Sequence, residues 1–274
     1  MADNTMVSKE TFETPAFGDR VKSMLKLDFY RLFHTPAFYI MLAIAAMIPA
    51  MVLALSVAEA GPPTPGSAYT ANTPQMEMPV FDNTWQLIES TGGSAVADNP
   101  LDFAGFANIN MLFIFAGLLM SIFVAHDYSS GFVKNIFTVH SKKVDYIISK
   151  TAIGVFGGAG MIVTYVLGTV FAGLLTGKAF DVNVSGLILC LISKVLLMAV
   201  FCSLFLGIAV FFRNRLWLTI SFTFLFGMML YPAGSVATLA STVTTVFISL
   251  IAGAIGAFAF GAVSSLILRK RDLA

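Results

Sequence analysis

Long apolar runs alternate with short polar intervals along this chain. Runs near 37–58, 106–125, 151–176 and 186–212 are each long enough to cross a hydrocarbon core of about 30 Å, roughly 20 helical residues. No residue from Leu216 to Leu268 is charged. That stretch exceeds two spans of about 20 residues, so two further helices are predicted in it. Between them, Tyr231-Pro232-Ala233-Gly234 breaks the helix, because proline removes an amide donor and clashes with the preceding turn. The fifth span is therefore short. The small, Ser/Thr-rich stretch that follows, to Thr242, reads as a re-entrant hairpin whose backbone is covered by protein, with a plain outer loop as the alternative.

Two polar intervals have amphipathic order. In 127–150, Phe132, Val133, Ile136 and Phe137 recur at helical spacing on one side, while Ser130, Lys134, Asn135 and Thr138 take the other. The pattern predicts a short amphipathic helix between spans two and three that is suited to touching another protein. Its apolar stripe is one candidate contact face, and Lys134 with Asn135 are polar anchors on the other. Ahead of span one, residues 18–34 place Val21, Met24, Leu25, Phe29, Leu32 and Phe33 on one face, with Arg20, Lys22, Lys26 and Arg31 largely elsewhere. This reads as an interfacial helix lying in one leaflet, the alternative being an extension of span one. His34-Thr35-Pro36 marks a break that favours the former.

Composition agrees with this reading. At 57% hydrophobic and 11% charged residues, the chain departs from soluble domains, in which about a quarter of residues are charged. It reads as an all-α, polytopic membrane protein. The charge-rich N-terminus lacks the basic-then-apolar pattern of a cleaved signal and is expected to stay in the cytoplasm. With that orientation, all but Lys178 and Lys194 of the 16 lysines and arginines fall on the cytoplasmic side. Six spans with both termini cytoplasmic satisfy the positive-inside rule. The predicted organisation is a tail and interfacial helix over 1–36, a six-span domain over 37–268 and a short tail over 269–274. The loop 59–105 holds Glu59, Glu77, Asp82, Glu89, Asp98 and Asp102 with no lysine or arginine, so it is acidic and extracytoplasmic. Its prolines argue against one long helix, while Trp85 to Ser90 reads as a helical turn packed on the outer surface. Cys190 and Cys202, twelve positions apart on one helix, lie too far apart to form a disulfide. Nothing in the charge distribution points to nucleic acid.

The chain shows no catalytic constellation. His34, His126 and His140 lie near the cytoplasmic boundary without cysteines or carboxylates at ligand spacing, so no metal site is expected. A phosphate-cradling glycine loop is absent too, since Gly177-Lys178-Ala179 lacks the hydroxyl residue such a loop needs. Any ATP chemistry belongs to another chain. Gly154 with Gly158, and Gly253, Ala257 and Gly261 at four-residue intervals, permit close helix approach. Internal packing is the expected use of these small residues, a dimer seam the other. Lys194 is the only charge inside an apolar run; snorkelling to the outer interface is the expected state, and a polar pathway the alternative.

The interval 127–150 resembles the pattern of the ABC type 2 permease family. The likeness rests on Asp127 just past span two, then Gly131, Lys134, a short amphipathic helix, Ser141-Lys142, and Lys150 at the start of span three. The sequence departs from that pattern at Asp127, where Glu is commoner, at Phe132, where a small residue or Thr is usual, and at Lys142, where Arg is frequent. The six-span order, the N-terminal amphipathic helix and the short fifth span extend the likeness to the whole chain. The resemblance implies an export half-transporter of a bacterial plasma membrane. Such a subunit pairs with a second permease subunit, identical or related, and with a separate ATPase that binds ATP and Mg; this chain itself binds no cofactor. It implies that Asp127, Gly131, Phe132, Val133, Lys134, Asn135, Ile136 and Phe137 form the ATPase-coupling segment. The acidic outer loop would concentrate cationic substrates such as antimicrobial peptides. Two other readings stand beside it, a non-transporting assembly protein and an ion-coupled secondary transporter. The second is disfavoured by the lack of carboxylates within the spans.

Overall fold

A computed structural model describes residues 16–59, 81, 83–89, 108–138, 142–213 and 215–270. The described residues are almost wholly helical: α1 (Phe17–Phe33), α2 (Pro36–Glu59), α3 (Gln86–Glu89), α4 (Met111–Ser129), α5 (Phe132–Thr138), α6 (Lys143–Thr176), α7 (Val184–Phe212), α8 (Leu216–Leu230), a 3-10 turn (Tyr231–Val236) and α9 (Val243–Lys270). Six of these segments are long and apolar enough to cross a membrane, namely α2, α4, α6, α7, α8 with its 3-10 turn, and α9. The protein is a multi-pass membrane protein. Most of the acidic loop 59–105 and both chain ends lie outside the described residues.

The core lies where α4, α6 and α7 meet. Phe113 of α4 stacks on Phe201 of α7 with ring centroids 4.4 Å apart, and Tyr146, Met161 and Tyr165 of α6 are fully buried. Two helices run past the lengths expected from hydropathy. The fourth helix continues beyond 125 to Ser129, and the sixth begins at Lys143, not near 151. At 34 residues, α6 is about 51 Å long, well beyond a hydrocarbon core of about 30 Å. Its polar first turns therefore project from one end of the bundle.

The first helix does not stand apart from the bundle. Its contacts with α6 advance in the same direction along both helices, from Arg20 on Asp145, through Asp28 on Ser149, to Phe29 and Phe33 on Phe156. The buried line is Met24, Asp28 and Leu32, while Leu27, Tyr30 and Phe33 face outward. The apolar face expected from spacing is thus rotated toward the acid, because ion pairing at Asp28 sets which side turns inward. Pro36 starts α2 just after the His34-Thr35 break, a position where its missing amide costs no helical hydrogen bond.

Two elements of the opposite end differ from expectation. The helical turn α3 is inserted, not laid on the surface: Leu87 and Ile88 are core residues, and the Tyr165 hydroxyl donates to the Leu87 carbonyl at 3.3 Å. The segment after α8 makes contacts that progress one way along α7. Gly234 meets Lys194, Ala237 meets Cys190, and Leu239 lies against Gly186. That is the course of a span finished in a 3-10 turn and the irregular backbone after it. A re-entrant hairpin would double back along the same neighbour.

Backbones approach closely between α2 and α6, where a methyl group placed on Gly168 falls on the Ala46 carbonyl. At Gly160 the same addition only reaches Leu42 at 3.5 Å. Gly168→Leu is expected to cost about 3 kcal/mol or more by overpacking and Gly160→Ala almost nothing, as read by thermal unfolding in mild detergent. Equal behaviour of the two variants would contradict the α2–α6 packing.

Candidate functional site

Extension of α4 and α6 past their apolar runs turns one face of each helical end toward α1. On α6 the residues are Tyr146, Ser149 and Lys150, at i, i+3 and i+4, and these lie on one side of a helix. On α4 it is Asp127, one helical turn beyond Phe123. The first helix supplies Asp28 and Arg31, also three apart. Lys150 Nζ sits 2.6 Å from Asp28 Oδ1 and 2.6 Å from Asp127 Oδ2. Arg31 Nη2 lies 2.5 Å from Asp127 Oδ1, and its Nη1 is 3.9 Å from Asp28. Two acids and two bases therefore alternate in a closed, neutral group. Asp28, Asp127 and Lys150 are wholly inaccessible to solvent.

Hydroxyl groups complete the acids' coordination. Ser149 Oγ donates to Asp28 Oδ2 at 2.6 Å, and Tyr146 Oη donates to Asp127 Oδ2 at 3.0 Å. Aromatic rings cover the bases. The Phe123 ring lies 4.3 Å from Lys150 Nζ, and the Phe132 ring of α5 lies 3.9 Å from the Arg31 guanidinium. At the rim, Arg20 Nε pairs with the buried Asp145 at 2.8 Å. Isolated charges in such a site would be severely penalised, and removing one partner of a buried pair typically costs about 3–5 kcal/mol. The group holds α1, α4, α5 and α6 in one fixed relation.

The two faces of the short helix differ in what they touch within this chain. Val133 is buried, and Phe132, Ile136 and Phe137 are half-buried against the protein's own bundle; Phe137 packs edge-on against Tyr146 with centroids 5.8 Å apart. The apolar stripe is therefore occupied internally and is not a free contact stripe. Lys134, Asn135 and Thr138 are the exposed residues of α5. Gly131 turns the chain into it with φ of 73°, the left-handed region that favours glycine. Asp127 stands apart from this outward face, inside the charge group.

Lys194 lies at the opposite end of the bundle and does not snorkel. It is buried, donating to Asn110 Oδ1 at 2.6 Å and to the Gly234 carbonyl at 3.0 Å, while Asn110 Nδ2 donates to Ser235 Oγ at 3.2 Å. The Gly234 carbonyl also accepts from the Ala237 amide at 3.3 Å, so the buried lysine is a second donor to it, and Asn110 and Gly234 together supply the acceptors that a buried ammonium needs. Gly154 fits between Met120 and Cys202, Gly158 against Met198, and Gly253 on the Leu196 carbonyl, all within this chain; Ala257 and Gly261 are only half-buried. Among the described residues no three His, Cys, Asp or Glu side chains converge as a metal site would require.

The sequence reading missed Asp28, Arg31, Tyr146, Ser149 and Phe123. One signal was present: Asp28 is an acid flanked at i−4 and i+4 by Met24 and Leu32, and an acid inside an apolar stripe implies a buried partner. Comparison with known proteins returns no matching family model, no matching curated protein and no matching solved structure.

Phe132→Leu keeps the apolar stripe but removes the ring beneath Arg31, at an expected cost of about 1–2 kcal/mol to the docking of α5. Hydrogen exchange across 132–138 should accelerate roughly 5- to 30-fold, while Lys134→Ala leaves it unchanged. Equal exchange in wild type and Phe132→Leu would show that the ring does not hold α5.

Proposed function

We propose that this chain is the membrane-spanning subunit of an ATP-driven exporter of the ABC type 2 permease class, driven by a separate ATPase that contacts the outward face of α5. The supporting observation is the arrangement of that helix. Its apolar side and Arg31-capped ring are fastened to α1, α4 and α6, and its polar side, Lys134, Asn135 and Thr138, is exposed. A helix fastened in this way moves as part of the bundle. A push on its outer face is transmitted to two membrane-crossing helices, the rigid-body coupling that a transport cycle needs.

In this reading the α5 end faces the cytoplasm of a bacterial cell, both termini lie there, and α1 rests its outward Leu27, Tyr30 and Phe33 in the inner leaflet. A second permease subunit completes the path, and ATP with Mg resides on the ATPase. The six acids of loop 59–105, with no basic residue among them, favour cationic amphiphiles such as antimicrobial peptides at the exit face. The ion-coupled alternative gains little from the buried acids, since Asp28, Asp127 and Asp145 are each ion-paired at the bundle end. A non-transporting assembly protein shares the exposed α5 face and differs only in moving no substrate.

Lys134→Glu combined with Asn135→Asp is expected to abolish copurification of an ATPase and to lower export at least tenfold at unchanged expression. Neutralising the six loop acids should weaken resistance to cationic peptides alone. Retained ATPase capture and export in the α5 variant would overturn the coupling assignment. Capture of a partner without any export would favour the assembly protein, and unchanged peptide resistance in the loop variant would remove the substrate class.

A further inference from the structure

Lined by none of the residues of the charge group, a cavity of about 360 Å³ opens between α7, α8 with its 3-10 turn, and α9. Its volume falls in the usual range of small-molecule sites, about 300–1,000 Å³. The walls are apolar, formed by residues such as Val200, Phe201, Ala233 and Ala252, with one exception: Ser249. Water is a poor occupant, because a buried water needs two to four polar partners and this lining provides a single hydroxyl.

Ser249 shares with Ser193 of α7, which does not line the cavity, a buried helical hydroxyl that makes no hydrogen bond. Ser121, Thr169 and Ser264 each donate to the carbonyl four residues earlier, at 2.9, 2.9 and 2.7 Å. Ser249, only 1% exposed, has no hydrogen-bond partner for its oxygen. A buried unsatisfied hydroxyl is costly, about 1–3 kcal/mol, and here it borders an apolar space. Residues at the cavity's edge, Leu230, Val236 and Ile248, are exposed, so the opening faces outward from the bundle, where hydrocarbon is the natural surrounding of a membrane-spanning chain.

Depth adds a constraint on the occupant. The 28 residues of α9 extend about 42 Å, some 12 Å more than a hydrocarbon core. Ser249 lies six positions from the first residue, roughly 9 Å along the axis. With the helix centred, it sits about 3 Å inside the hydrocarbon boundary, the level at which the ester or hydroxyl of a membrane amphiphile meets its chain. We propose that this cavity binds one hydrocarbon chain of a lipid-class amphiphile, with Ser249 Oγ hydrogen-bonded to the ester or hydroxyl group at the head of that chain. The site belongs to a single subunit and requires no ATPase, so it stands apart from the permease reading.

The test uses the full chain in lipid nanodiscs and two photoreactive probes, a monoacylglycerol with a mid-chain diazirine and a plain alkane carrying the same diazirine. Expected is saturable labelling by both probes within 197–204 and 248–260. Ala252→Phe, which fills the cavity, should lower it at least tenfold. Ser249→Ala should lower monoacylglycerol labelling about five- to tenfold, the equivalent of one hydrogen bond, and leave alkane labelling unchanged. Thermal unfolding establishes that both variants remain folded. Non-saturable labelling spread over outward residues such as Trp217 and Met229, or labelling indifferent to Ala252→Phe, would overturn the site. Equal monoacylglycerol labelling with and without the Ser249 hydroxyl would overturn its role as anchor.

Discussion

A lysine ammonium cut off from water must be met by opposite charge, and at Lys150 two carboxylates from different helices meet it. Desolvation makes each of these charges unfavourable alone. Only an arrangement that brings α1, α4 and α6 to one point keeps all of them satisfied. Arg31 closes the group to neutrality and extends it to α5 through the Phe132 ring. The local architecture follows from that requirement: which face of α1 turns inward, how far α4 and α6 extend, and which side of α5 is left exposed. Elsewhere in the bundle a substitution leaves a cavity or a steric clash, but here a missing partner strands a charge.

The same constraint gives α5 its mechanical character. Seven residues cannot hold a helix by themselves in water, since nucleation is too costly for so short a segment. Tertiary fastening stabilises it: Val133 buried, Phe137 against Tyr146, and Phe132 on Arg31. Lys134 and Asn135 are thus exposed on a helix packed against two membrane-crossing helices. The broken fifth span shows a comparable device at the other end, where Lys194 and Asn110 tie α7 and the start of α4 to Gly234 and Ser235 of the 3-10 turn.

The sequence was a good guide wherever one physical term dominated. Hydropathy alone placed six membrane-crossing helices, because twenty apolar residues have few alternatives in lipid. The short helix at Phe132–Thr138 and the break at Tyr231-Pro232 were equally legible from periodicity and from proline. Hydropathy was a poor guide to helix ends. It stopped the second and third spans at their last apolar residues, so Asp127 and Lys150 fell outside the helices that carry them. For the same reason Asp28 passed as one more surface charge on an amphipathic helix. Its role depends on two residues more than ninety positions away, and no local pattern encodes such a pairing. The buried state of Lys194 escaped likewise, since its carbonyl acceptor is created by a break forty residues later.

The central claim is that the four charges act as one unit across α1, α4 and α6. A double-mutant cycle between Asp28→Asn and Lys150→Met, followed by reversible unfolding in detergent, tests it directly. Each single change leaves a net buried charge, whereas the double change restores neutrality with Asp127 and Arg31 still paired. The double variant is expected to lose less stability than the sum of the singles by about 1.5 kcal/mol or more. Additivity within about 0.5 kcal/mol would contradict the account.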